Sequence, residues 1–143
     1  MSRLKLDPEA VGISVLVERL SGVPVRDCFQ ADEELIYVII EPGSIGRAIG
    51  KGGMNIRRMQ QELHKKIKFV EYRENPLEFV QNIISPINAG EIVEEENFIV
   101  IKEKNRMTKS LLIGREGKNL ILINRAVKRF FPGKEVKVEN LYK

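Results

Sequence analysis

Two segments of the form Ile-Gly-x-x-Gly, Ile49-Gly50-Lys51-Gly52-Gly53 and Ile113-Gly114-Arg115-Glu116-Gly117, occur in one chain of 143 residues. Among 11 glycines a single pair at this spacing would carry little weight. Here the surroundings recur at the same offset, with Asn55 falling on Asn119 and Ile56 on Leu120, so the loop and the first turn after it repeat as one unit. Two copies of a small unit are therefore expected, with domains at residues 1–73 and 74–143. The junction Arg73-Glu74-Asn75-Pro76 is too short for a flexible tether, and the expectation is a fixed relative orientation with one continuous surface.

Helix and strand signals follow the same order twice. Asp7-Pro8 is a cap and first helical residue, Ile13, Leu16, Val17 and Leu20 recur at helical spacing, and Gly22 stops the run. Strands are expected over Val25–Phe29 and Leu35–Ile40 around polar Asp32-Glu33-Glu34. Glu41-Pro42-Gly43 breaks the second strand, and Ser44 is positioned to cap a short helix leading into the first loop. Beyond the loop, Ile56, Met59, Leu63 and Ile67 are spaced for one buried helix face, before a strand over Lys66–Tyr72. In the second half, Asn75-Pro76 opens a helix with Leu77, Val80, Ile83 and Ile84 on its apolar face, ending near Pro86. Strands over Ile87–Val93 and Phe98–Ile101 flank an acidic turn, Glu94 to Asn97. A helix over Arg106–Ile113 feeds the second loop; Leu120, Ile123, Val127 and Phe130 form the next buried stripe, and Val136 and Val138 mark a closing strand.

The net charge of +4 is unevenly placed. Residues 44–68 hold seven Lys/Arg against Glu62, and residues 106–129 hold seven against Glu116, so each segment carries +6 and the rest of the chain carries −8. One such segment would read as a solvated helix face. Duplication around the same glycine loop points instead to a surface that tracks phosphates. Glycines let backbone amides approach a phosphate, and the following helix directs its positive end at the anion. For either loop alone a helix C-cap and tight turn would account for the glycines; the matched pair favours a ligand site.

Other chemistries find no support. Gly46 to Lys51 superficially matches a nucleotide-binding P-loop, but three residues rather than four precede Gly50-Lys51, and Gly52 stands where a magnesium-binding hydroxyl belongs. The dinucleotide fingerprint is absent. One cysteine, Cys28, and one histidine, His64, cannot build a usual zinc site. Tyr37, Tyr72 and Tyr142 are too scattered to form a stacking platform. The longest apolar run, Leu35–Ile40, is far too short to cross a bilayer, and the start lacks a signal peptide, so a cytoplasmic protein without membrane association is expected.

Ile45 to Ile56 and Leu112 to Leu120 resemble the archaeal NusA-like transcription factor family, a tandem pair of KH domains, and the resemblance spans essentially the whole chain. The stretch from Lys118 to Lys143 has room for only one helix and one strand, so the loop sits late in its unit, as in the type II (prokaryotic-type) KH domain. The resemblance implies an α+β fold in which each unit runs α-β-β-α-α-β, a three-stranded sheet packed against helices. It implies a non-enzymatic, cofactor-free monomer that binds single-stranded RNA and acts in transcription termination or antitermination. RNA polymerase is the second implied partner; longer bacterial relatives add a polymerase-binding region and an S1 domain that these residues do not contain. Two alternatives stay open: an adaptor surface for protein partners, and an RNA-binding factor in ribosome biogenesis or RNA decay.

By position, the amides of Gly50, Lys51, Gly52 and Gly53 and of Gly114, Arg115, Glu116 and Gly117 are expected to approach phosphates, with Lys51 and Arg115 adding charge at the tips. Ile49 and Ile113 are expected to floor base-binding grooves. Asn55, Lys118 and Asn119 would reach bases or sugars, and Arg47, Arg57 and Arg58 complete the RNA-contacting set. Glu116 should repel phosphate, making the second loop the weaker clamp unless Arg115 and Lys118 offset it.

Overall fold

The computed structural model describes residues 8–141, which divide into two compact units between Arg73 and Glu74. The first runs α1 (Pro8–Ser21), β1 (Val25–Gln30), β2 (Leu35–Ile40), α2 (Ile45–Ile49), α3 (Met54–Leu63) and β3 (Lys66–Glu71). β1 pairs antiparallel with β2, and β2 pairs parallel with β3, so α2, the glycine loop and α3 together form the crossover that parallel strands require. One sheet face, Cys28, Ile36, Val38, Ile40, Ile67 and Phe69, packs in a single cluster with Ala10, Ile13 and Val17 of α1, Ala48 of α2 and Met59 of α3. The opposite face is closed too: Ile39 and Val70 are 0% exposed. There burial pushes the Tyr37 hydroxyl up to about 12, with the Asp32 charge adding to the effect. Its register partner Lys68 has its pKa lowered by burial, so this lysine does not belong with the solvated charge around the loop.

Three sequence expectations change in this unit. α3 ends at Leu63 because His64 turns into the left-handed region (φ 56°), which places Ile67 on β3 instead of the helix face. Met59 alone is buried on α3, while Ile56 and Leu63 pack half-buried against the cluster. Ser44 occupies the N-cap position of α2 but makes no side-chain capping bond. The expected cap Asp7, like Tyr142, lies outside the described residues.

The second unit repeats the order: α4 (Pro76–Ile84), β4 (Glu91–Glu95), β5 (Phe98–Glu103), α5 (Arg106–Ile113), α6 (Lys118–Phe130) and β6 (Glu135–Asn140). β4 is antiparallel and β6 parallel to β5. Asn75 caps α4, its side chain accepting from the amides of Leu77 and Glu78. The buried stripe of α6 comprises Leu122, Ile123, Ala126, Val127 and Phe130, with Leu120 half-buried. Phe130 meets Phe79 of α4 edge-on at 5.4 Å.

β4 starts later than the expected Ile87–Val93. The Ile87 amide donates to the Ile84 carbonyl at 3.0 Å, and Gln81 Nε2 donates to the Ile87 carbonyl at 3.1 Å, so Ile87 is tied to the end of α4. Glu94 and Glu95, expected in the turn, are therefore in the strand and pair with Lys134 and Lys102. The hairpin turns on Glu96-Asn97 alone, Glu96 at φ 56°. The sheets of both units, each backed by helices, constitute the α+β, tandem KH architecture.

Candidate nucleic-acid interface

Each loop is a single 3₁₀ turn joining two helices, and the two copies share one backbone path. Gly50 (φ 82°, ψ 166°) is matched by Gly114 (78°, 171°), Gly52 (62°, 19°) by Glu116 (57°, 29°), and Gly53 (77°, 17°) by Gly117 (74°, 9°). The first dihedral pair is open essentially to glycine alone. Left-handed backbone at Glu116 is a different matter, since a side chain there costs about 1 kcal/mol.

Hydrogen bonds close each turn on itself. Gly50 N donates to Gly46 O at 2.9 Å and Gly53 N to Gly50 O at 3.0 Å; in the second unit Gly114 N donates to Ser110 O at 2.8 Å and Gly117 N to Gly114 O at 3.1 Å. The amides of the four flanking glycines, expected to face phosphate, are thus engaged internally. The tip residues Lys51 and Gly52, and Arg115 and Glu116, are exposed, and among the described residues no acceptor is found for their amides. Two donors per loop are left for a ligand instead of four.

Non-local carboxylates hold the helices that enter the loops. Glu71 on β3 accepts from the amides of Gly43 and Ile45, both at 3.1 Å, taking the role expected of Ser44. In the second unit Glu103 on β5, 6% exposed, accepts from Gly90 N at 2.8 Å and Asn105 N at 2.9 Å. These backbone hydrogen bonds, that from Asn105 above all, hold its carboxyl below the usual carboxylate range against the opposing effect of burial. Asn105 in turn caps α5 by accepting from Thr108 N at 2.9 Å. The helices leaving the loops are pinned by a matched pair of side-chain amides that sequence reasoning missed. Gln60 Oε1 accepts from Ile67 N at 2.9 Å, and Asn124 Oδ1 accepts from Val136 N at 2.7 Å.

Side chains expected to contact RNA divide by environment. Arg47, Lys51, Arg58, Arg115 and Lys118 are exposed. Arg57 is also exposed, yet its Nη1 donates to Gly52 O at 2.7 Å, bracing the first tip from below while keeping its charge beside it. The second unit has no such brace, because Ile121, 53% exposed, takes the place of Arg57 there. Likewise Leu111, 59% exposed, stands where the first unit has Arg47. The one acid of the first basic segment, Glu62, lies 3.5 Å from Arg19. Asn55 and Asn119 turn back toward the preceding helices: Asn55 Nδ2 donates to Arg47 O at 3.1 Å, and Asn119 Nδ2 to Leu111 O and Leu112 O at 3.2 and 2.9 Å.

Ile49 is half-buried against the first core. Ile113 lines an open cleft of about 630 Å³ between α5 and β6, together with Arg106, Lys109, Ser110, Val138, Glu139 and Asn140. Lys109 Nζ donates to Asn140 Oδ1 across it. Nothing in the sequence points to the β6 wall of this cleft; Arg106 and Lys109 stand out there only as part of the basic segment. Among the described residues, no three His, Cys, Asp or Glu side chains gather as a metal site, and no helix is long and apolar enough to cross a membrane. Cys28 is a buried free thiol, 1% exposed.

Known proteins resemble this chain in sequence and in fold. The KH domain family model matches residues 14–88. A probable transcription termination protein NusA of Methanocaldococcus jannaschii is 28% identical over 141 residues, covering 96% of this chain and 76% of its own length. Its counterpart in Methanococcus vannielii is 34% identical over 128 residues, covering 87% and 72%. The crystal structure of APE1850 superposes with a TM-score of 0.76 at 25% identity, covering 93% of this chain and 99% of its own.

Proposed function

We propose, because this chain belongs to the KH domain family and is a NusA-like protein of the archaeal kind, that it binds single-stranded RNA through its two glycine loops in transcription termination or antitermination. An RNA-binding, termination-type role follows from the family and its NusA-named relatives. The clamp itself is supported by one observation: two loops with the same dihedrals, each offering tip amides and a tip cation, at the N-terminus of an ordered helix. The first loop is the stronger clamp. It carries Arg47, Lys51, Arg57 and Arg58, whereas the second has Leu111, Ile121 and Leu122 at three of the matching positions and Glu116 at its tip. Base contacts are assigned to the cleft that Ile113 lines and, in the first unit, to the surface around the half-buried Ile49.

Titration of a single-stranded RNA oligonucleotide against salt tests the reading. Neutralising about six phosphates gives a log–log slope of about −4 for single strands. Replacing Lys51 and Gly52 together by Asp should abolish binding while circular dichroism stays native, because both residues are exposed. A slope near zero, or undiminished affinity in the folded variant, would refute it.

A further inference from the structure

Asn55 and Asn119 are the two polar side chains expected to reach bases or sugars, yet both amides point the other way. Asn55 is the second residue of α3, and its Nδ2 donates to the carbonyl of Arg47 in the last turn of α2. Asn119 is the second residue of α6, and its Nδ2 donates to two carbonyls in the last turn of α5, those of Leu111 and Leu112. Carbonyls in the last turn of a helix lack intrahelical donors once the chain turns away. Asn119 thus commits its amide nitrogen to two neighbouring carbonyls of the entering helix. Each asparagine therefore ties the C-terminus of the helix entering the loop to the first turn of the helix leaving it, fixing the gap the loop must bridge. The first glycine of each loop fits this contact. A β-carbon on Gly50 would lie 2.8 Å from both Cγ and Nδ2 of Asn55, and one on Gly114 would lie 2.7 Å from Cβ of Asn119.

We infer that Asn55 and Asn119 are positioning residues: they latch the two helices across each glycine loop and hold its tip amides in register for phosphate, without contacting RNA themselves. This deepens the RNA-clamp reading and rests on it. The latch explains why the same amide recurs in both units although the neighbouring side chains, Arg57 and Ile121, do not match. It also predicts an order of severity. Asp keeps the shape of Asn but sets an acceptor against a carbonyl, so Asn55→Asp should loosen the loop more than Asn55→Ala does.

Hydrogen exchange on the full chain, free of RNA, separates this role from a direct contact. Amides of Gly50 and Gly53 in Asn55→Asp, and of Gly114 and Gly117 in Asn119→Asp, should exchange about tenfold faster, the thermal midpoint should stay within a few degrees, and affinity for a single-stranded RNA oligonucleotide should fall about tenfold. If either Asp variant fails to fold, the corresponding Ser variant, which keeps a short donor, is read the same way with smaller shifts. Lost affinity with unchanged exchange would overturn the latch; shared by the uncharged Ser variants it would mean that the asparagine touches RNA, and confined to the Asp variants it would mean that the added carboxylate repels phosphate. Unchanged exchange with unchanged affinity would overturn it as well. Faster exchange with unchanged affinity would leave the hydrogen bonds in place but sink the RNA-positioning role, while the loop clamp itself stands or falls separately with the Lys51 and Gly52 double variant.

Discussion

Asn119 packs onto Gly114 so closely that the glycine could not carry a β-carbon without meeting both the Cβ and the backbone nitrogen of the asparagine at 2.7 Å. The same contact joins Asn55 to Gly50 in the first unit. Not every loop glycine is constrained in this way: nothing lies within 4 Å of a β-carbon placed on Gly52.

Gly50→Ala and Gly52→Ala should therefore differ sharply. Alanine at position 50 meets both a glycine-only backbone region and the asparagine, a loss of about 2–4 kcal/mol, enough to threaten a unit of this size. At position 52 it meets only left-handed strain of about 1 kcal/mol. Thermal melts of the two variants check the order; equal midpoints would contradict the packing described.

Glu116→Gly should stabilise the protein by at most about 0.5 kcal/mol, because glycine releases about 1 kcal/mol of strain at φ 57° and gives about half or more of it back as unfolded-chain freedom. The same change removes a carboxylate from the tip, and RNA affinity at low salt should rise about fivefold. A fall in affinity would show that Glu116 has a favourable role in the complex.

Glu71→Ala removes the acceptor shared by the amides of Gly43 and Ile45. A loss of about 1–2 kcal/mol is expected, with RNA affinity changed less than about threefold, since the cap lies at the far end of α2 from the loop. Glu71→Gln, which keeps an acceptor oxygen, should recover most of the stability in the same denaturant titration.

Glu103 gives the second unit an acid-sensitive anchor. Its folded pKa is depressed below the ordinary value of 4.5, so its contribution is fully present above that value and is lost as pH falls through the folded pKa. Wild-type stability should drop on acidification below about pH 4.5, and Glu103→Gln, already lacking the carboxylate, should show a flatter profile over the same range. Parallel profiles from urea unfolding at stepped pH would exclude the anchor.

Much of this architecture is written locally. Asn75-Pro76 at a helix start, apolar residues at helical spacing in α1 and α6, and the repeated loops lead to the α-β-β-α-α-β order because each signal acts within a few residues of itself. What escaped was set by distance along the chain. Nothing near Ser44 reveals that Glu71, on the strand that closes the unit, caps its helix. Ile87 carries the β-branched signature of a strand, yet Gln81 holds it to the previous helix. Ile67 continues the helical spacing of Ile56, Met59 and Leu63, but His64 turns the chain before it. For the site, the loops and their charge were legible, whereas the direction of the Asn55 and Asn119 amides was not, since an amide can donate equally well to a nucleobase or to a carbonyl.

The parallel pairings of β2 with β3 and of β5 with β6 place each loop inside a crossover that only the last strand completes. As the polypeptide emerges during synthesis, the glycine turn leaves first, and residues 66–71 follow to seat Glu71 at the start of α2. In each unit the strand that completes the sheet is thus the last element to be synthesised, after the glycine turn that its crossover carries.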